Sequence, residues 1–115
     1  EWEGVSEPDV ARRWPDVYTA WKQDAEHVAI PGGETFGALR DRFVPALTEI
    51  AARHADSAVA VVAHKSSNRV FICSILGLSP SAYRRIGQDN MALNILDYKD
   101  GRWRVDLVND TCHLQ

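Results

Sequence analysis

The chain has 115 residues, 45% hydrophobic and 25% charged, and a net charge of −3. One domain with a real core fits that length, because a chain of this size buries roughly 65% of its unfolded surface. The composition is that of an ordinary soluble globular protein; the acidic balance argues against nucleic acid or an anionic membrane as partner, and no stretch approaches the ~18 apolar residues of a membrane helix.

Ser6-Glu7-Pro8-Asp9 offers a cap, an early proline and first-turn acids, so a helix is predicted from about Pro8 to Trp14. Pro15 interrupts it, and Asp16 is placed to cap a second helix from Val17 to about Glu26. His27 to Gly33 reads as a loop, broken by Pro31-Gly32-Gly33. The longest helix is predicted from Thr35 to about Arg53: Phe36, Leu39, Phe43, Leu47 and Ile50 recur at the spacing of one buried face, and Pro45 should kink it. Ala55-Asp56-Ser57 turns the chain into residues 58 to 63, a short β-branched run suited to a strand buried on both faces.

His64 follows at the carboxyl end of that run. Ser66, Ser67 and Asn68 all have capping chemistry, and Val70, Phe71, Cys73, Ser74 and Leu76 form the apolar stripe of the next helix. Gly77 suits its end, with Pro80 to Arg85 as a further short helix. Ala92 to Tyr98 and Arg102 to Leu107 read as strands joined by the hairpin turn Asp100-Gly101. The layout is α/β with few strands, and an interior strand at 58–63 needs neighbours that one hairpin does not supply. Further strands are therefore expected upstream of Glu1.

The functional candidate is His64 with the helix start behind it. Open α/β sheets bind ligands at the carboxyl ends of strands. A helix N-terminus there has unpaired N–H groups and a positive dipole end, which favour an anion. An imidazole beside it can bind a phosphate or give it a proton. On periodicity alone, a histidine at a strand end is more often a hydrogen-bonded structural group.

Several stretches together change that balance. Glu1-Trp2-Glu3-Gly4 looks like the end of a Gly-x-Trp-Glu-Gly segment, and Pro31-Gly32-Gly33-Glu34-Thr35 like a Gly-Gly-Glu-Ser/Thr loop that opens a long helix. Val61-Val62-Ala63-His64 looks like Val-Ser-His-Gly, and Asn109-Asp110-Thr111-Cys112-His113-Leu114 like an Asn-Asp-Thr-x-His-Leu ending. In this order, covering residues 1 to 114, they resemble the histidine phosphatase, or phosphoglycerate-mutase-like, superfamily. The resemblance implies a partial three-layer fold, a central sheet with flanking helices whose N-terminal strands are missing. It also implies phosphoryl transfer through a phosphohistidine. His64 then matches the second histidine, which contacts the phosphoryl oxygens and stabilises charge in the transition state. The backbone of Lys65 contacts the phosphate, and Ser66 stands beside it in the phosphate-binding set.

The chain departs from the family pattern in two ways. No Arg-His-Gly, the motif of the nucleophilic histidine, occurs among the 115 residues, and the family's acid glutamate would lie before Glu1. Lys65-Ser66 replaces the more frequent Gly-Gly and brings a positive charge to the pocket. Residues 1 to 115 are therefore expected to be the carboxyl-terminal part of a single histidine-phosphatase-like domain. The longer protein would be a phosphomonoester hydrolase and this portion alone inactive. The alternatives are phosphoglycerate-mutase-type transfer and a non-catalytic module that binds anions or proteins. Hydrolysis is favoured because the short link between the Trp-Glu-Gly and Gly-Gly-Glu segments resembles the compact phosphatase branch.

Other features have plainer readings. Ser66 and Ser67 lack the Gly-x-Ser-x-Gly of a hydrolase nucleophile, and Pro31-Gly32-Gly33 lacks the Gly-Lys-Ser/Thr of a nucleotide loop. Arg84-Arg85 reads as a solvated pair more readily than as a guide for an anionic substrate, and Trp2, Trp14, Trp21 and Trp103 as packing anchors. The four histidines and two cysteines show no ligand spacing, so neither metal nor cofactor is expected. Cys73 and Cys112 read as reduced thiols, which with no visible signal peptide predicts a cytoplasmic setting. The expected partner is a phosphorylated small molecule, and a bare sheet edge invites pairing with a second copy.

Overall fold

Caps set most of the boundaries. The structure is a computed structural model, described here for residues 1–114. Helix α1, Glu7–Arg13, starts where the Ser6 side chain accepts a hydrogen bond from the Asp9 N–H, with acids in its first turn. Helix α2, Pro15–Gln23, follows directly, and Trp14 both closes α1 and precedes α2. Pro15 thus begins the second helix instead of separating it from an Asp16 cap. Proline lacks only an N–H that the first turn leaves unused, and its φ is already helical. The helix stops short of Glu26 because Asp24 leaves helical space at φ −147°.

The loop that follows is tied to a distant turn. The Glu26 N–H donates to Ser81 Oγ at 3.0 Å, and that hydroxyl donates to Asp24 Oδ1 at 3.2 Å. Helix α3, Phe36–Arg53, begins under a Thr35 cap that accepts from the Ala38 N–H at 3.0 Å, and it runs as one helix through Pro45. Its second residue must be glycine: a Cβ on Gly37 would lie 2.7 Å from the Glu26 carbonyl oxygen.

Helix α4, Lys65–Ile75, ends in paired turns back onto itself: Gly77 N–H bonds the Ser74 carbonyl and Leu78 N–H the Cys73 carbonyl. This arrangement needs the left-handed φ of +77° at Gly77. A 3-10 turn, Pro80–Arg85, follows under a Ser79 cap. Strands β1, Leu93–Lys99, and β2, Arg102–Asp110, pair antiparallel across Asp100-Gly101, both at positive φ as a type I′ turn requires. The register shifts twice near Leu93 and Ile95, and a short 3-10 turn, Cys112–Leu114, closes the description.

The core forms around α4. Val70, Phe71, Ile72 and Cys73 are consecutive and all buried, so α3, the 3-10 turn and the hairpin enclose most of its circumference. Phe36, Leu39 and Tyr83 complete one cluster with Ala25, Val70 and Cys73. Trp103 of β2 seals the other side, edge-on to Phe71 at 5.1 Å and bonded from its indole N–H to Thr48 Oγ1 at 3.1 Å.

Residues 58–63 differ from expectation. They have no ladder partner among the described residues and are not buried on both faces: Val62 is 98% exposed, Val59 45% and Val61 50%. The run has strand composition, but a buried strand exists only where neighbours satisfy its amides and cover its side chains. The sheet contains β1 and β2 alone, and neither flanks it.

Candidate functional site

His64 is the residue before α4, with extended backbone at φ −102° and ψ 162°. The cap differs from the expected one. Ser67 Oγ accepts from the His64 N–H at 3.2 Å and donates to the His64 carbonyl at 3.0 Å, while the Asn68 N–H reaches the same carbonyl. These bonds hold the backbone of His64 at the mouth of the helix and leave its side chain exposed. Ser66 and Asn68, which share the capping chemistry of Ser67, make no cap bond to His64 through their side chains. The Lys65 and Ser66 amides lie in the first turn, where no carbonyl four residues back is available to them.

A cleft of about 430 Å³ opens beside this helix start. Lys65, Ser66 and Arg69 line it from α4, and Arg84 from the 3-10 turn. Trp2, Tyr18, Trp21 and Tyr83 supply its aromatic walls. His64 is one residue from this lining, and its ring is not part of it. In an acidic chain, three cationic side chains therefore gather around one helix N-terminus. Their one carboxylate companion on the lining is Glu7.

Each group has a definite support. The Arg69 guanidinium lies 5.9 Å from the Tyr83 ring centroid, and its Nε is covered with no hydrogen-bond partner among the described residues. The Arg84 guanidinium lies 5.4 Å from the Tyr83 ring centroid and 5.7 Å from that of Trp21, within cation–π range of both. Glu7 accepts a hydrogen bond from the Tyr18 hydroxyl, which, with Arg84 and Lys22 nearby, holds its carboxyl below the usual glutamate range. Burial pushes the Tyr83 phenol up, so it stays a neutral platform.

The sequence model of the histidine phosphatase superfamily (branch 1) matches residues 1–111. The chain belongs to the histidine phosphatase superfamily. Phosphoserine phosphatase 1 of Hydrogenobacter thermophilus is 28% identical over 113 residues, covering 98% of this chain and 54% of that protein. The metal-independent phosphoserine phosphatase of Arabidopsis thaliana is 32% identical over 97% of this chain and 46% of its own length. Among solved structures, YhfR of Bacillus stearothermophilus superposes with a TM-score of 0.88 at 19% identity, over all of this chain and 57% of its own. A mycobacterial glucosyl-3-phosphoglycerate phosphatase gives 0.78 at 26% identity, over 96% of this chain and 57% of its own. The fold is that of these phosphatases, and the chain spans about half the length of the relatives it matches.

Two of the sequence candidates, Lys65 and Ser66, thus come together on the cleft, with His64 adjoining. Arg84 and Arg85 are both exposed, as expected of a solvated pair, and Arg84 also lines the cleft while Arg85 does not. That difference requires the fold and leaves no sequence trace. Arg69 escaped notice altogether, although it follows Lys65 by four residues and so shares its helix face. Trp2 and Trp21 pack as anchors, edge-on at 5.6 Å, and also wall the cleft. The Asn109-to-Leu114 segment is structural here: Asn109 Oδ1 accepts from the Asp89 N–H at 2.8 Å, and His113 Nε2 meets the Met91 carbonyl at 2.9 Å.

Proposed function

We propose that residues 1–115 are the carboxyl-terminal part of a single histidine-phosphatase domain that hydrolyses a phosphorylated small molecule through a phosphohistidine. The observation that carries this reading is the gathering of Lys65, Ser66 and Arg69 at the start of α4, with His64 as the preceding residue. Free first-turn amides and the Lys65 and Arg69 cations suit the equatorial oxygens of a phosphoryl group, and the family resemblance assigns His64, next to the lining, as a further donor as negative charge develops. Family membership adds the reaction type. A ring nitrogen of the nucleophilic histidine bonds phosphorus as the P–O bond to the alcohol breaks, and the alcohol leaves with a proton from the acid. Water then attacks phosphorus, the P–N bond breaks, and phosphate departs. Neither the Arg-His-Gly nucleophile motif nor the upstream acid lies within these residues, so the chain contributes the cradle and not the nucleophile.

Mutase-type transfer would use the same cradle and a different acceptor. Hydrolysis is favoured because two of the relatives that match nearly the whole chain are phosphoserine phosphatases. We infer a cytoplasmic setting from the free thiols Cys73 and Cys112.

The test compares the full-length protein with the 115-residue chain. The full-length protein is expected to hydrolyse p-nitrophenyl phosphate and to yield an acid-labile phosphohistidine on rapid quenching. His64→Ala should lower its kcat by about 100-fold or more, in line with loss of one oxyanion donor. The chain alone should show no turnover. Ordinary turnover by the chain, or full activity in His64→Ala, would overturn the proposal.

A further inference from the structure

Lys65, Ser66 and Arg69 line the cleft from α4, and Arg84 lines it from a different element, the 3-10 turn. We propose that Arg84 selects the leaving group: it receives a carboxylate on the alcohol portion of the phosphomonoester. The inference rests on the phosphatase reading of the same cleft.

The geometry favours a fixed, available guanidinium. Tyr83 beside it is 5% exposed and belongs to the core cluster, so that flank is rigid. Trp21 supports the guanidinium from the α2 side at 5.7 Å. Two aromatic rings flank the guanidinium, whose planar fork of N–H donors can offer a carboxylate two parallel bonds. The carboxylate now nearest does not saturate it. Glu7 Oε1 is 3.8 Å from Arg84 Nη2, an ion pair beyond hydrogen-bond length, and Glu7 is engaged by the Tyr18 hydroxyl. The amides of α4, Lys65 and Arg69 already answer the phosphoryl charge. Arg84 is the cation on the lining that stands on another element, and Trp2, Tyr18, Trp21 and Tyr83 give the cleft apolar surface against which an alcohol skeleton can lie.

Two esters that differ at one group test this in the full-length protein: phosphoglycolate, whose alcohol carries a carboxylate, and ethyl phosphate, which has a methyl in its place. The wild type should prefer phosphoglycolate in kcat/KM by about tenfold or more, the scale of a charge-assisted hydrogen bond. Arg84→Ala should erase that preference mainly through a raised KM for phosphoglycolate, and Arg84→Lys should restore part of it, since lysine keeps the charge without the fork. Calorimetric binding of both esters reads Arg84 separately from turnover. If neither ester is hydrolysed but Arg84→Ala erases a binding preference for phosphoglycolate, the phosphatase reading falls and carboxylate recognition by Arg84 stands. If both are hydrolysed and Arg84→Ala leaves their ratio unchanged, Arg84 selects nothing and the phosphatase reading stands.

Discussion

Tyr18 and Glu7 show how one hydroxyl shapes the charge of the cleft. The phenol donates to the carboxylate and lowers its pKa. A depressed carboxyl stabilises the fold fully above its unfolded value, and that contribution is lost as pH falls through the folded value. Stability should therefore drop as pH is taken below about 4.3, and Tyr18→Phe should flatten that drop by returning Glu7 toward its ordinary range. Urea midpoints measured along the acid limb check the slope; an unchanged slope removes the hydrogen bond's role. Glu34, whose carboxylate accepts from Arg42 Nη2 at 2.6 Å, is lowered in the same direction as Glu7 and serves as the internal reference. Phe71 tests packing instead of charge. It lies edge-on to both Phe43 at 5.9 Å and Trp103 at 5.1 Å, so Phe71→Ala should cost about 3–5 kcal/mol in denaturant unfolding.

Helix ends were the most legible elements, because caps are local chemistry. Ser6, Thr35 and Gly77 each sit where their side chain, or the lack of one, predicts a boundary. Thr35→Ala and Gly77→Ala should each cost about 1 kcal/mol, the first by orphaning the Ala38 N–H and the second by forcing a Cβ into left-handed backbone. Thermal melts of the two single variants check this, and near-additivity in the double variant follows from their separate helices. The Asp100-Gly101 hairpin was equally legible, since its turn type demands those residues. What the sequence could not disclose was long-range. Residues 58–63 have strand composition whether or not a ladder receives them. The cleft joins α4 to a turn some fifteen residues later and to Trp2, and no local pattern encodes that meeting. His64 was legible as a helix-start residue; that Arg69 and Arg84 share a cleft with its neighbours was not.

As a whole molecule the chain is flat and over-exposed. Its radius of gyration is 15.6 Å, where about 13 Å is usual for this length, and its shortest extent is 20 Å. Its accessible surface is 7735 Å², against about 6,300 Å² for a compact monomer of its mass. The difference is the size of a protein interface, and Val59, Val61, Val62, Leu93 and Ile95 contribute apolar area to the surface. The isolated chain should therefore bind an apolar dye and self-associate as concentration rises, in a sedimentation experiment, and Val62→Lys should weaken both. A monomer that binds no dye would show that this surface needs no cover. One tie sets how the molecule can vary. Ser81 bonds the loop after α2 to the turn that carries Arg84, while Lys65 and Ser66 stand on a separate helix. A change in the length of that loop would therefore pull on the turn that carries Arg84, while Lys65 and Ser66, anchored on α4, have no bond to it.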